Sequence, residues 1–253
     1  MAEKNNNKTA AATAPRPVMS TEEFIKKVQC AAIGNRRRGD DVKFWYTALQ
    51  GLRLENQILN NAEFNSCCIS DTLFCGVSLQ CAEFKFAELN NVVFQNCEID
   101  NSRWDFAKCN NVRFVNCTLE SANWDFASGE AAFENCQLKY SEFPSVALKI
   151  IFNRCYAYRT EFNGCQNLRL EAENSNLNRS EFNDSVLTGK MEGCCLSDAE
   201  FNGSNGKAME FNNCTQRGVE TCGSSGFVFD KGDEDFDHKL KAALDELEED
   251  LDD

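Results

Sequence analysis

A unit of 20 residues repeats along the middle of this chain, and within it a large apolar residue recurs at every fifth position. Residues 90–109 read NNVVFQNCEIDNSRWDFAKC, and residues 110–128 read NNVRFVNCTLESANWDFAS. A period of five fits neither the 3.6-residue period of a helix nor the two-residue period of a strand. It fits a chain that turns a corner every five residues and points one large side chain inward from each side. Four sides close one coil, and the coils stack like parallel strands about 4.8 Å apart.

The inward positions form four columns, which we name the first to fourth sides. The first side contains Leu54, Phe74, Phe94, Phe114, Phe133, Phe152, Ala172, Met191 and Phe211, and the second contains Leu59, Leu79, Ile99, Leu119, Leu138, Ala157, Leu177 and Leu196. The third contains Phe64, Phe84, Trp104, Trp124, Phe143, Phe162, Phe182 and Phe201, and the fourth contains Ile69, Leu89, Cys109, Gly129, Leu148, Asn167, Leu187 and Gly206. The frame loses one residue at three places, all between the fourth side and the next first side. Around Asn167 it is weakest, and we expect a distorted coil there.

Each inward residue tends to follow a small residue and then a polar one. Clear examples are Ala62-Glu63-Phe64, Ala82-Glu83-Phe84 and Ala199-Glu200-Phe201. This pattern resembles the pentapeptide-repeat family over residues 52 to about 221. The resemblance implies an all-β solenoid, a right-handed quadrilateral β-helix. It implies little about function, because proteins that share a fold can bind different partners.

The flanks predict a short helix at each end of the solenoid. Ser20-Thr21-Glu22-Glu23 has the pattern of a capping box, with apolar residues at helical spacing after it. The C-terminal stripe, which comprises Phe236, Leu240, Leu244, Leu247 and Leu251, predicts an acidic amphipathic helix. We therefore divide the chain into a disordered leader (1–19), a helical N-terminal cap (20–51), the solenoid (52–222), and a linker with the C-terminal helix (223–253). Because the stripe needs an apolar surface, we expect a homodimer through this helix.

The net charge of −14 excludes several kinds of partner. Phosphates would be repelled, so nucleic acid is not expected as a direct ligand, whereas a basic protein partner is. No stretch approaches 18 consecutive apolar residues, so no membrane span is expected. The odd number of cysteines, 15, and the lack of a signal-like N-terminus favour reduced thiols in a cytoplasm. Delivery by a specialised secretion system and incorporation in a virus particle remain open.

Six cysteines share the small position two residues before the second side: Cys97, Cys117, Cys136, Cys155, Cys194 and Cys214. Such a ladder could be a redox or metal site, because neighbouring rungs would lie about 4.8 Å apart. The alternative, which we favour, is that a compact thiol fills space in the core. The single histidine, His238, lies in the acidic tail, and no CxxC pair is present. We therefore predict no metal, no cofactor and no catalytic residues.

Two outward-facing sets of residues are candidate binding surfaces. The acidic stripe, one position before the third side, comprises Glu63, Glu83, Glu142, Glu161, Glu181 and Glu200, and it is broken by Arg103 and Asn123. A row of carboxylates can imitate the phosphates of DNA, and some pentapeptide-repeat proteins bind type II topoisomerases in this way; the position is, however, polar in any such repeat. The docking patch, one position before the first side, comprises Leu73, Val93, Ala132 and Ile151. An exposed apolar patch indicates a face covered by the N-terminal segment or by a partner.

The sequence thus indicates a non-enzymatic scaffold that binds a protein through its solenoid faces and its C-terminal helix. One alternative is a DNA-mimicking modulator of a type II topoisomerase or another DNA-binding protein. The other is a secreted effector or a component of a virus particle.

Overall fold

The computed structural model describes residue 16, residues 18–34 and residues 42–228. One helix, α1 (Thr21–Gly34), precedes a long series of short strands. The strands are β1 (Val18–Met19), β2 (Ala48–Gln50), β3 (Arg53–Glu55), β4 (Cys68–Ser70), β5 (Leu73–Cys75), β6 (Glu88–Gln95), β7 (Lys108–Val115), β8 (Ser128–Glu134), β9 (Ala147–Asn153), β10 (Leu168–Glu173), β11 (Leu187–Glu192) and β12 (Met209–Asn212).

Every strand pairs in parallel with the equivalent strand of the next coil. The order is β1-β2-β4-β6-β7-β8-β9-β10-β11-β12, and β5 pairs with both β3 and β6. Phe94 is in register with Phe74 on one side and with Phe114 on the other, an offset of one 20-residue unit. On the second and third sides the coils meet through single bridges, such as Ser78 with Glu98 and Glu83 with Arg103. The predicted all-parallel β-solenoid is confirmed.

The core consists of stacked aromatic columns. On the third side the ring centroids of Phe84 and Trp104 are 4.1 Å apart, and those of Trp104 and Trp124 are 4.5 Å apart. The first-side rings meet these edge-on, and the Trp104 and Phe114 centroids are 5.6 Å apart. These residues are all fully buried or nearly so. Offset stacking along a column and edge contacts between columns are both favourable arrangements of aromatic rings.

The corners use left-handed backbone, and asparagine supplies it at many of them. Asn91 and Asn111 have φ of 54° and 55°, which asparagine adopts more readily than most residues do. Their side chains also form a ladder along the rod. The Asn111 Nδ2 donates to the Asn91 Oδ1 at 3.0 Å, and the Asn91 Nδ2 donates to the Asp71 Oδ1 at 3.0 Å. The ladder hydrogen-bonds polar side chains of successive coils to one another.

The corner between the fourth and first sides changes length along the rod. Cys109 and Phe114 are five residues apart, but Gly129 and Phe133 are only four apart, and the register between β7 and β8 shifts at this point. Gly129 has φ of 105°, and a Cβ atom there would lie 1.8 Å from the carbonyl oxygen of Cys109. Only glycine allows the shorter corner to lie on the longer one.

The assignment of Asn167 to the fourth side is wrong. Asn167 is exposed, whereas Leu168 is fully buried and is in register with Leu187. One extra residue lies between the third side and Leu168, and the corner that follows, from Leu168 to Ala172, has four residues. The polar residue therefore lies outside the barrel, and the fourth side keeps an apolar side chain in this coil.

The repeat begins before residue 52, within the predicted cap. Val42, Phe44 and Leu49 are buried, and Lys43 bridges to Glu63 as one more rung of the third side. Helix α1 covers this end of the rod, with the Phe24 ring stacked 4.5 Å from that of Phe44. A reciprocal capping box starts the helix: the Glu23 N–H donates to the Ser20 Oγ, and the Ser20 N–H donates to the Glu23 Oε2. The open apolar end of the solenoid is thus shielded from water.

The two core tryptophans differ in one hydrogen bond. The Trp104 Nε1 donates to the Ser102 Oγ at 2.8 Å, whereas the buried Trp124 Nε1 has no acceptor among the described residues, because alanine occupies position 122. We expect Ala122→Ser to raise the free energy of unfolding by about 1 kcal/mol, since it supplies that acceptor. Chemical denaturation would measure the change. Ala82→Ser, next to Phe84, is the matched control and should bring no gain; an equal gain there would contradict the explanation.

Candidate protein-binding site

The acidic stripe forms a continuous row only in the C-terminal half of the rod. Glu142, Glu161, Glu181 and Glu200 lie in consecutive coils, each bridged to the next, and the bridge from Glu200 to Glu220 extends the row by one coil. We call these five residues the glutamate row. At about 4.8 Å per coil the row is roughly 19 Å long. Glu220 was not predicted, because the residues around it depart from the pattern of the clear repeats.

The glutamates of the row repel one another. Burial, together with the charges of Glu181 and Glu142, raises the pKa of Glu161 above its ordinary value. Asparagines from the adjacent corner compensate in part, since the Asn163 Nδ2 donates to the Glu181 Oε2 at 3.0 Å. The Asn183 Nδ2 likewise donates to the Glu200 Oε2 at 3.2 Å. These amides hold the carboxylates in position without neutralising them.

In the N-terminal half, the acidic stripe is neutralised. Glu63 pairs with Lys43 at 2.7 Å, and Glu83 pairs with Lys85 at 2.7 Å. Arg103 then takes the place of a glutamate and pairs with Asp105 at 2.9 Å. The structure therefore brings four of the six predicted glutamates together as one charged surface and separates the other two from it.

A shallow groove of about 550 Å³ runs beside the glutamate row, along the corner between the second and third sides. It is lined by Tyr140, Glu142, Arg159, Glu161, Arg179, Glu181, Asp198 and Glu200. Arg179 donates to the Tyr158 hydroxyl at 3.0 Å and lies 3.5 Å from the Asp198 carboxylate. The groove thus has one uncompensated acidic wall and one wall in which positive and negative charges alternate.

Glu161→Gln is expected to stabilise the fold at neutral pH. Because the folded protein holds the proton of Glu161 more tightly than the unfolded chain does, stability is lost as pH rises through the raised pKa. Removing one of a set of directly opposed like charges should contribute about 0.5 kcal/mol. Denaturation curves of the variant and the parent would show the gain at neutral pH, and it should disappear below pH ~4.5, where the unfolded chain is protonated as well.

Glu83→Gln is the matched control for this prediction, on the same side of the rod. Burial opposes ionisation of Glu83, but hydrogen bonds from Lys85 and Asn65 outweigh it and lower its pKa. Its contribution to stability is present at neutral pH and is lost as pH falls through the lowered pKa. Glu83→Gln should therefore destabilise the protein at neutral pH. Equal signs for the two variants would contradict the electrostatic explanation.

The cysteine ladder lies inside the barrel wall, where each thiol meets backbone carbonyls. The six ladder cysteines are all buried. The Cys117 thiol contacts the carbonyl oxygens of Phe94 at 3.4 Å and Val115 at 3.3 Å, and the ladder repeats this arrangement with small variations. Ser175 interrupts the ladder and donates to the Glu173 carbonyl in the same manner. These thiols act as small hydrogen-bonding fillers of a crowded corner, and the described residues contain no cluster suited to a metal ion.

Chemical labelling of the native protein should separate the cysteines into two groups. Cys30, Cys81 and Cys222 are exposed and should react quickly with iodoacetamide. Ladder thiols should react only after denaturation, because burial excludes the reagent and raises the pKa of thiols such as Cys136. Peptide mass spectrometry would give the rate at each site. Rapid native labelling of Cys117 or Cys136, or stoichiometric zinc in the purified protein, would contradict the filler interpretation.

The docking patch is shallow and is not continuous. Leu73 and Val93 are in register in adjacent coils, as are Ala132 and Ile151, but Arg113 lies between the two pairs. All four apolar side chains are half-buried. A groove of about 550 Å³ begins at Ile151 and continues over charged residues toward Glu210. The patch stays a predicted surface, and the C-terminal stripe (236–251) lies outside the described residues.

A ladder of exposed phenylalanines, which the sequence pattern did not predict, follows the corner between the third and fourth sides. Phe86, Phe106 and Phe126 are 57%, 45% and 52% exposed. Successive ring centroids are 4.9 and 5.0 Å apart, with nearly parallel planes. We call these three residues the aromatic ladder. The sequence does contain a signal for the aromatic ladder. Its three phenylalanines are spaced 20 residues apart, and each one follows a third-side aromatic residue by two positions.

The geometry of the coils defines the fold. Each coil has four sides, each side points one large residue inward after one small residue, and almost every coil is 19 or 20 residues long. The chain is a four-sided, all-parallel β-solenoid with a five-residue period along its sides. Helix α1, the one helix among the described residues, is too short and too polar to cross a membrane.

The chain is similar to solved structures at low sequence identity. No family model and no curated protein matches the sequence. Similar solved structures include HetL, a pentapeptide repeat protein involved in the regulation of heterocyst differentiation in the cyanobacterium Nostoc, with 15% identity, a TM-score of 0.49 and coverage of 85% of this chain and 99% of that chain. Another is trypsin-treated QnrB1, a plasmid-mediated fluoroquinolone resistance protein, with 17% identity, a TM-score of 0.40 and coverage of 81% of this chain and 97% of that chain.

Proposed function

We propose that this solenoid is a non-enzymatic scaffold that binds a basic protein through its third side. The glutamate row carries the proposal, because it places five carboxylates in consecutive coils with no lysine or arginine in the row. Their mutual repulsion destabilises the isolated protein, and it contributes to the raised pKa of Glu161. A cationic partner would relieve that repulsion, so binding and release of electrostatic strain would act together.

The test removes three negative charges from the glutamate row and compares the loss of binding with that of a control variant that lacks three negative charges on another side of the rod. The row variant is Glu161→Gln, Glu181→Gln and Glu200→Gln. The control variant is Glu134→Gln, Glu173→Gln and Glu192→Gln on the first side, where Glu134 and Glu192 pair with Arg113 and Lys190. Both variants have the same net charge.

A poly-lysine peptide is the probe, and calorimetry at low and high salt gives its affinity. We expect the row variant to lose affinity by about tenfold at low salt, since three close charges contribute to binding and salt screens them. The control variant should stay within about twofold of the parent. Equal losses in the two variants would show that net charge alone attracts the peptide, and the proposal would then fail.

The second candidate function is DNA mimicry toward a DNA-binding enzyme such as a type II topoisomerase. The uninterrupted row of carboxylates favours it, since DNA also presents a regular row of negative charges, although the spacing of about 4.8 Å in the glutamate row is wider than the roughly 3.4 Å along each DNA strand. The N-terminal half of the acidic stripe is neutralised, which argues against mimicry of DNA along the whole rod. Competition between this protein and duplex DNA for a bacterial type II topoisomerase would test it. Competition that survives in the row variant would rule out mimicry by the glutamate row.

A further inference from the structure

The aromatic ladder is an apolar strip that the core does not require. Phe86, Phe106 and Phe126 all have left-handed backbone, with φ between 55° and 58°, which is uncommon for a bulky residue. In the coils on either side the same position is Ser66 and Ser145, so the corner folds without an aromatic residue. About half of each ring is open to solvent. Large exposed apolar rings in consecutive coils indicate a surface that something covers.

We propose that the aromatic ladder is the docking site for the C-terminal segment of the same chain, residues 236–251. The apolar stripe of that segment, five residues at helical spacing, needs an apolar surface. The aromatic ladder is an exposed apolar surface on the corner just before the fourth side, and the described chain ends just after that side. This inference is independent of the glutamate row and of the partner proposed for it.

The connecting chain is long enough for this docking. The described residues end at Val228, just beyond the fourth side, because Ser225 pairs with Asn205 and Asn205 pairs with Val186. Phe126 lies at the opposite edge of that same fourth side, five coils lower, which is about 24 Å along the rod. The eight residue steps from Val228 to Phe236 span about 26 Å when extended. The segment could therefore reach the ladder by crossing the fourth side obliquely, with the connecting residues nearly fully extended.

The dimensions of the two surfaces also match. Residues 236–251 would make a helix about 24 Å long. The same corner carries the exposed Tyr46 two coils below Phe86, so from Phe126 to Tyr46 it offers exposed aromatic rings over about 19 Å, interrupted only at Ser66.

Electrostatic interactions favour docking of the acidic C-terminal segment on the aromatic ladder rather than beside the glutamate row. Residues 223–253 carry 12 acidic and 3 basic side chains, so the glutamate row would repel them. Around the ladder the cations are paired: Lys85 with Glu83, Arg103 with Asp105, and Lys108 with Glu88. An acidic segment therefore meets a nearly neutral surround there, with Asp125 as the remaining carboxylate next to Phe126.

The area of the ladder fits an intrachain contact better than a dimer. The three phenylalanine side chains, each about half exposed, together present roughly 300 Å² of accessible surface. A stable interface between two molecules needs about 800 Å² from each. A tethered segment needs much less, because the short linker gives it an effective concentration in the millimolar range.

Photo-cross-linking in the full chain tests the proposal directly. p-Benzoylphenylalanine is incorporated in place of Phe106, and its cross-links are mapped by mass spectrometry after separation of monomers from dimers. We expect cross-links to residues 236–251 within one chain. The matched control has the same probe in place of Tyr140, which is also an exposed aromatic residue with left-handed backbone but lies on the corner between the second and third sides. It should give no cross-links to the segment.

Hydrogen exchange gives an independent measurement. In the variant Phe86→Ser, Phe106→Ser and Phe126→Ser, amides of residues 236–251 should exchange at least about tenfold faster than in the parent, whereas Tyr140→Ser should leave them unchanged. If the triple variant does not fold, Leu244→Asp with Leu247→Asp should abolish the cross-links from position 106. Cross-links between two chains would replace the proposal with docking on a second copy. No cross-links to the segment, or unchanged exchange in the folded triple variant, would overturn it.

Discussion

Replacing Gly129 with alanine should lower the free energy of unfolding by about 4 kcal/mol, or prevent folding altogether. The added Cβ would lie 1.8 Å from the Cys109 carbonyl oxygen, which is backbone in the coil below and cannot rotate away. Overpacking and a strained backbone each cost roughly 1–3 kcal/mol, and both apply here. The midpoint of chemical denaturation, followed by circular dichroism, would measure the loss.

Gly223→Ala separates the steric effect from the conformational one. Gly223 also has positive φ, 70°, but a Cβ there would meet nothing within 4 Å. Its replacement should cost only the roughly 1–2 kcal/mol of placing a side chain on left-handed backbone. If Gly129→Ala is no worse than Gly223→Ala, the close approach between the two coils does not constrain the fold.

Phe114→Ala should destabilise the protein by about 4–5 kcal/mol, at the upper end for a phenylalanine removed from a core. The ring is fully buried, with stacking partners in the coils below and above, Phe94 at 4.9 Å and Phe133 at 4.8 Å. Two tryptophans meet it edge-on, at 5.6 and 5.8 Å. Neighbouring rings are held by their own stacks, so the cavity cannot collapse. Thermal and chemical denaturation should both show the effect.

Phe106→Ala is the control for this second prediction. It removes the same side chain only eight residues away, but from the outer surface, where the ring is 45% exposed. The expected change is within about 1 kcal/mol, the value of one exposed aromatic stack. A loss at Phe106 comparable to that at Phe114 would mean that the aromatic ladder is a structural element rather than a binding surface.

The five-residue period predicted the core because each side of a coil buries one large side chain. Wherever that residue was large and apolar, as at Phe94 or Trp124, its column and neighbours could be assigned from the sequence alone. The period failed at Asn167, since one inserted residue before Leu168 and one missing residue after it cancel, and the frame then reads correctly on both sides of the error. It also missed Phe44, because the frame was followed only from residue 52 and Phe44 lies within the predicted N-terminal cap (20–51).

Binding surfaces were harder to predict, for a different physical reason. An outward residue is not constrained by packing. The sequence therefore shows which outward residues are charged, but it does not show whether neighbouring side chains neutralise them. Glu83 and Glu161 occupy equivalent positions, yet Lys85 pairs with one and like charges surround the other. The aromatic ladder was not predicted, because Phe86, Phe106 and Phe126 lie outside the inward frame that the five-residue period defines. Its regular spacing of 20 residues becomes meaningful only once the corner is recognised as a continuous surface along the rod.

The confinement of length changes to the fourth side has a consequence for how such a chain could evolve. Within residues 42–228, missing and extra residues occur only just before or just after that side, so the second and third sides remain aligned from coil to coil. Since each coil contacts only its neighbours, a whole coil could be gained by duplication or lost by deletion without disturbing the others. The similarity of residues 90–109 and 110–128 is what one such duplication would leave behind. Each duplication or deletion would change the length of a charged row by one coil, about 4.8 Å. The length of a binding surface on the rod could therefore change in fixed increments.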